Sequence, residues 1–136
     1  MPHTPDPGPE DLLDTVHAGP EDRVLLVRGG PALLCSALRH GCRTAMTVAT
    51  PPRHPEPADL VLAPRIETPE EAVEVAASAS RALPRGGRLA LLLKGGAVAA
   101  VRGVRRRLHA YGFARVRRRA AADGGVLLLC RYGSAR

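Results

Sequence analysis

The stretch RVLLVRGGP, residues 23–31, has the residue types and spacing expected of a loop that contacts a small molecule. A buried apolar strand that ends in glycines and leads into a helix is typical of nucleotide-binding α/β domains, because glycine lets the backbone approach the ligand. The turn here consists of Arg28, Gly29, Gly30 and Pro31. Because Arg28 stands where such a turn carries its first glycine, we expect its guanidinium group to project into the ligand's space.

Two clusters of arginine form the strongest electrostatic feature of a chain whose formal net charge is +7. Together they predict a basic patch that could hold phosphates or an acidic protein. A solvated charged surface is the alternative, because the abundance of Arg, Ala, Gly and Pro is typical of proteins from GC-rich genomes. The clustered residues are Arg102, Arg105 and Arg106 on a predicted helix and Arg115, Arg117 and Arg119 on one side of the next predicted strand.

Cysteine usage and the lengths of the apolar runs indicate the compartment. Cys35, Cys42 and Cys130 are an odd number of cysteines without the spacing of a disulfide framework, so we expect a reducing cytoplasm. Cys35 and Cys42 have no second Cys/His pair near them, and no metal site is predicted. Cys130 lies in the apolar run VLLLC and is predicted to be a buried structural thiol. That run and LALLL are far too short to cross a membrane.

Alternating apolar and amphipathic segments predict a doubly wound, mostly parallel α/β sheet that ends in an antiparallel β-hairpin. Residues 1–9 are predicted to form a flexible Pro-rich tail and residues 10–136 a single domain. The predicted strands are residues 23–27, 43–49, 59–63 and 88–93, with the hairpin over 113–121 and 126–132. The predicted helices are residues 10–18, 31–41, the segment after Thr68, and 97–112.

The helix after Thr68 has the clearest start signal in the chain. Thr68 as N-cap, Pro69 in the first turn and Glu71 three residues after the cap form a capping-box pattern. The spacing of apolar residues then predicts that Val73, Ala76, Ala79 or Ser80, and Leu83 line the buried face.

The segment ADLVLAPRIETPEEAVEVAASASRALPRGGRLALLL, residues 58–93, resembles the second half of the class I S-adenosylmethionine-dependent methyltransferase fold. The LPRGG turn is its most specific piece, and the following helix, YGFARV and the closing hairpin extend the likeness over roughly residues 20–133. The proline-glycine turn serves strand geometry, so the resemblance implies a fold and does not by itself imply an activity.

The resemblance also shows where this sequence departs from the family's cofactor site. The family pattern places an acidic residue at the end of the first strand, where this chain has Leu26 or Val27, and a glycine where it has Arg28. At the end of the second strand the family places a carboxylate for the ribose hydroxyls, and this chain offers Ala49 and Thr50. The resemblance therefore implies a vestigial cofactor loop over residues 28–31, without catalytic residues and without a bound cofactor.

The connection between the second and third predicted strands is too short for the family's next unit, which is a strand flanked by two helices. Nine residues separate Ala49 from Asp59. Stretched out they span ~28 Å, enough for the ~22 Å return path but not for a helix. The third strand and its helices are thus predicted to be absent. The second strand then has an open edge, and Thr44, Met46, Thr47 and Val48 are its candidate dimer contacts.

The sequence favours a methyltransferase-like protein that is non-catalytic, does not bind S-adenosylmethionine and acts through protein association, as a homodimer. A small active methyltransferase that uses residues 28–31 as its cofactor loop is one alternative. A basic nucleic-acid-binding module that uses the arginine patch is another. With one Phe, two Tyr and no Trp, the chain has almost nothing on which single-stranded nucleic acid could stack.

Overall fold

The structure, a computed structural model, describes residues 9–121 and 124–133, without the side chains of residues 9–11. The predicted tail over residues 1–9 lies outside the described residues apart from Pro9, which begins the first helix. The described elements, in chain order, are α1 (Pro9–Thr15), β1 (Arg23–Val27), α2 (Gly30–Arg39), β2 (Thr44–Val48), β3 (Leu60–Ile66), α3 (Pro69–Ala82), β4 (Arg88–Leu93), α4 (Gly96–Ala99), α5 (Val101–Ala110), β5 (Phe113–Ala120) and β6 (Val126–Tyr132).

The described strands form one six-stranded sheet in the order β2-β1-β3-β4-β6-β5. β2, β1, β3 and β4 run parallel, β6 is antiparallel to β4, and β5 is antiparallel to β6. The continuous apolar runs of β1 and β4 are buried almost throughout, as expected for strands that are covered on both faces. The predicted doubly wound sheet with a C-terminal antiparallel hairpin is therefore confirmed.

Helices cover both faces of the sheet. On the α1/α2 face, Leu13 and Leu33 pack with alternate strand residues such as Leu26 and Leu62. The opposite surface, the α3/α5 face, is covered by α3, α4 and α5, whose buried side chains pack on the intervening strand residues. Successive side chains of a strand point to opposite faces, so each strand contributes to both clusters. None of the described helices is long and apolar enough to cross a membrane.

Two helices differ in detail from the sequence prediction. The capping box of Thr68 and Glu71 is present, but α3 buries Ala72, Val75, Ala76 and Ala79, and Val73 is only half-buried. This face places mostly alanines against the sheet. The predicted helix over 97–112 is two helices, because (i, i+3) hydrogen bonds replace the α-helical pattern up to Ala100, whose backbone is not helical.

The connection over residues 49–59, all of them described, contains neither helix nor strand. It runs along α3: the hydroxyl of Ser78 donates to the Pro52 carbonyl at 3.1 Å, and Nε of Arg81 donates to the Arg53 carbonyl at 2.8 Å. At its end, the backbone N–H of Ala58 donates to the carbonyl of Ala82 at 3.1 Å. The predicted loss of the third strand and its helices is confirmed, and β2 is left as a terminal strand of the sheet.

Candidate functional site

Arg28 dominates the edge of the sheet where the parallel strands end. Its backbone N–H donates to the Val48 carbonyl at 2.7 Å, so it extends the pairing of β1 with β2 by one residue. Its side chain crosses the edge: Nε donates to the Ala49 carbonyl at 3.3 Å, and Nη1 is paired with Oε2 of Glu71. The guanidinium group thus connects the ends of two strands to the first turn of α3.

Backbone hydrogen bonds at the start of α3 position the Glu71 carboxylate that pairs with Arg28. Its Oε1 accepts the backbone N–H groups of Glu67 and Thr68, each at 3.1 Å, and these bonds are part of the capping arrangement at the start of α3. Oε2 remains for the ion pair with Arg28. The sequence predicted Glu71 as a capping residue, and no local signal indicated its second role because its partner lies 43 residues away.

The space left at this edge is small. A cleft of about 30 Å³ remains beside Arg28, which is one of its lining residues, and it has room for only one or two water molecules. Pockets for small molecules are generally about 300–1,000 Å³. Its charged lining residues are Arg28, Arg65, Glu71 and Glu74. Arg65 and Glu74 were not among the predicted site residues.

The glycines after Arg28 serve the packing of the chain itself. A Cβ on Gly29 would lie 2.7 Å from Cβ of Leu26 and 3.3 Å from Cδ2 of Leu33, so only glycine fits between β1 and α2. Gly30 has a φ of +71° and open space around it, so there the backbone conformation favours glycine. Arg28 also has a positive φ, +60°, which is uncommon for a residue with a side chain.

The end of β2 lacks the carboxylate that the resemblance implies for the ribose hydroxyls of a cofactor. Ala49 and Thr50 stand at the end of β2, as the sequence indicated, and both are exposed. The carboxylates lining the cleft come from α3, and one of them is engaged by Arg28. This edge therefore presents an internal ion pair where the resemblance implies a ligand.

The cysteines are dispersed and two of them are buried. Cys35 is exposed, whereas Cys42 and Cys130 are buried. Burial raises the pKa of the Cys130 thiol to about 12, and its Sγ lies 3.7 Å from the Leu89 carbonyl. Burial, and secondarily the charge of Asp22, raises the pKa of the Cys42 thiol. Among the residues described, no group of three or more His, Cys, Asp and Glu side chains is arranged to hold a metal ion.

The six arginines of the predicted basic patch lie in two places. Val101, Val104 and Leu108 anchor α5 on the α3/α5 face, so that Arg102, Arg105 and Arg106 are exposed outside that layer. On β5, Arg117 and Arg119 stand opposite Leu129 and Leu127, which belong to the α1/α2 face. Arg115, Arg117 and Arg119 line a cavity on this α1/α2 face.

The predicted dimer edge is open in this structure. Thr44, Met46 and Thr47 are exposed and Val48 is half-buried, with 47% of Met46 accessible to solvent. The neighbouring helix α2 adds Leu38, which is 53% exposed. These are the large apolar side chains that the described surface exposes most.

No protein-family model matches the chain, and a search of curated proteins finds no match. Solved structures do match. A ribosomal protein L11 methylase from Lactobacillus delbrueckii subsp. bulgaricus superposes with a TM-score of 0.73 at 13% identity, over 91% of this chain and 77% of that one.

An S-adenosylmethionine-dependent O-methyltransferase from Thermotoga maritima gives a TM-score of 0.67 at 12% identity, over 94% of this chain and 65% of that one. For a methyltransferase from Pyrococcus furiosus the TM-score is 0.62 at 14% identity, over 90% of this chain and 80% of that one. The chain therefore has the class I S-adenosylmethionine-dependent methyltransferase fold, shortened by one strand and its flanking helices.

Proposed function

We propose that this chain is a non-catalytic protein of the methyltransferase fold, which does not bind S-adenosylmethionine and acts by associating with protein, in the first place with a second copy of itself. The observation that carries the first half of the proposal is the Arg28 side chain. It is held between the Ala49 carbonyl and Glu71 across the edge of the sheet.

Size and charge both support the loss of cofactor binding. The cleft of about 30 Å³ is roughly a tenth of the smallest ordinary ligand pocket. S-adenosylmethionine carries a positive sulfonium group, which the guanidinium of Arg28 would repel. Ala49 and Thr50 offer no carboxylate to the ribose hydroxyls, so the hydrogen bonds that would hold the ribose of the cofactor are missing as well.

Titration calorimetry of the pure protein with S-adenosylmethionine tests the proposed loss of cofactor binding. We expect no saturable heat, whereas binding with a Kd below about 100 μM, or more than ~5 kcal/mol, would favour a small active methyltransferase instead. A urea unfolding curve on the same sample shows that the titrated protein is folded.

The open edge of β2 supports the proposed association with a second copy. Thr44 donates its backbone N–H to Asp22, and Val48 accepts that of Arg28, so the polar groups of these residues point at β1 and its flanks. Backbone groups alternate along a strand, so those of Ala45 and Thr47 point to the free side. No charged residue or proline lies inside β2 to prevent pairing there.

The open edge of β2 can pair with the same edge of a second copy without opposing like charges. If two β2 strands pair antiparallel about a two-fold axis at Met46, Ala45 of each copy forms the hydrogen-bonded pair with Thr47 of the other. Met46 then faces Met46 at the closer, non-hydrogen-bonded position. The flanking Arg43 faces Ala49, so no like charges oppose each other across the interface.

Sedimentation at micromolar concentration tests the association. We expect a species of twice the chain mass of 14.4 kDa. Thr47→Pro removes an outward N–H without touching the bonds to β1, and Met46→Lys places like charges face to face, so each should give monomer. Met46→Leu is the matched control and should remain dimeric. A wild-type monomer, or a dimer that survives both disruptive changes, contradicts this interface.

A further inference from the structure

A basic cavity of about 290 Å³ lies at the opposite end of the sheet from the Arg28 cleft. It opens on the α1/α2 face, beside the start of β4 and the end of α1. Its walls include His17, Arg88 and Arg131 together with the three β5 arginines, and Leu129 and Val16 form apolar parts of its lining.

The pairing of the strands brings these arginines together. Arg88 of β4 stands directly opposite Arg131 of β6. One strand further out, Arg117 and Arg119 occupy alternate positions of β5 and so share a face. Five guanidinium groups from three adjacent strands therefore line one cavity.

Only one of these charges is neutralised within the described part of the chain. Arg88 is paired with Asp22 and donates to the carbonyls of Val16 and His17 at 2.6 and 2.8 Å. Arg131 donates to the Gly86 carbonyl at 3.0 Å, which leaves its charge uncompensated.

The β5 arginines have fewer partners than Arg88 and Arg131 within the described residues. In residues 9–121 and 124–133, no hydrogen bond or ion pair is formed by the side chains of Arg115, Arg117 or Arg119. Like charges at neighbouring positions of a sheet destabilise it, so a bound anion would relieve a repulsion that is built into this surface.

The backbone conformation at Arg115 also indicates a binding site. The pairing of β5 with β6 shifts register between Ala114 and Arg117, and Arg115 has a φ of +54°. The bulge lets Phe113 face the α3/α5 core while Arg117 and Arg119 face the cavity, and Arg115 lines the cavity beside them. A left-handed backbone at a residue with a long side chain is strained, and such strain is common at binding sites.

We propose that the basic cavity is a binding site for a small organic phosphate that carries at least two negative charges. Guanidinium forks match phosphate oxygens in pairs, so the arginines of this cavity suit a phosphate group. The volume is near the lower end of the range for small-molecule pockets, and the apolar lining suits the organic part of the ligand.

The shape of the charged surface favours a small ligand over nucleic acid. Arg102, Arg105 and Arg106 lie beyond the opposite face of the sheet and do not extend the cavity into a track. Phe113 is buried on the α3/α5 face, and Tyr132 packs there too, so neither offers a base a stacking surface in the cavity.

The test is calorimetric titration of the full chain with two probes, inorganic pyrophosphate and adenosine diphosphate. We expect saturable binding with a Kd below about 1 mM at low salt. The Arg117→Ser, Arg119→Ser double variant should bind at least about tenfold more weakly. The Arg105→Ser, Arg106→Ser double variant loses the same charge from α5 and should bind like the wild type.

A second variant guards against unfolding of the edge strand. Arg115→Gly removes one guanidinium group and also suits the positive φ, so it should stay folded and bind several-fold more weakly. The proposal is overturned if neither probe binds, or if the α5 control loses as much affinity as the cavity variant. It is also overturned if duplex DNA or single-stranded RNA binds more tightly than both probes and depends equally on both sets of arginines.

Discussion

Replacing Arg28 by glycine isolates the contribution of the side chain that crosses the sheet edge. Three effects act on the free energy of unfolding. Glycine relieves the left-handed backbone at φ +60°, a gain of about 1 kcal/mol, but it lowers stability by about 0.5–1 kcal/mol through the freedom it adds to the unfolded chain. The lost ion pair with Glu71 costs at most about 1 kcal/mol, because 49% of the Arg28 side chain is exposed.

The three effects nearly cancel, so the Arg28→Gly variant should unfold within about 1 kcal/mol of the wild type. Urea unfolding measures the difference. Gly30→Ala is the control for backbone conformation, because Gly30 has a φ of +71° and no neighbour that a Cβ would meet; it should lose about 1 kcal/mol. If Arg28→Gly lowered the free energy of unfolding by more than about 3 kcal/mol, the fold would depend on the Arg28 side chain. The description of Arg28 as a half-exposed side chain that contributes little to stability would then be wrong.

Three further outcomes are expected from single contacts. Thr68→Ala removes the side chain that caps α3 and should lower the free energy of unfolding in urea by about 1 kcal/mol; an unchanged value would contradict the capping box. Hydrogen bonds from Arg23 hold the pKa of Asp59 below its ordinary value of 3.8, so their stabilisation is fully present above that pH and is lost as pH falls through the lowered pKa. The gap in stability between wild type and Asp59→Asn should thus be constant near neutral pH and close in acid, and a gap that widens in acid would refute this sign. With a colorimetric thiol reagent, the native chain should show one rapidly reacting cysteine, Cys35, and three after unfolding, because the other two are buried.

The sequence predicted those parts of the fold that depend on local pattern. β1 and β4 are unbroken apolar runs between turn signals, and their predicted bounds are the observed ones. The missing unit followed from the family resemblance together with the nine residues between Ala49 and Asp59, which are too few for a helix and a return path. β3 is longer than predicted and continues through Pro64 to Ile66, because the ladder shifts register there and tolerates a residue without an N–H.

The parts that could not be predicted depend on contacts between distant segments. Arg28 was recognised as an obstruction, but its partner Glu71 lies in another element and already had a local explanation as a capping residue. The β5 arginines were assigned to one patch with those of α5, because alternation along a strand fixes which residues share a side but not which face of the sheet that side joins. The bulge at Arg115 has no sequence signal, since such positions usually carry glycine.

Amide NMR of the uniformly labelled chain, titrated with S-adenosylmethionine to about 1 mM, tests most directly whether the sheet edge that carries Arg28 is closed to this cofactor. Gly29, Gly30 and Glu71 report on this edge from both sides of the Arg28 side chain. We predict that their amide signals do not move. A saturable shift confined to these residues would show that the cofactor displaces Arg28, and would contradict the proposal that this fold has lost its cofactor site.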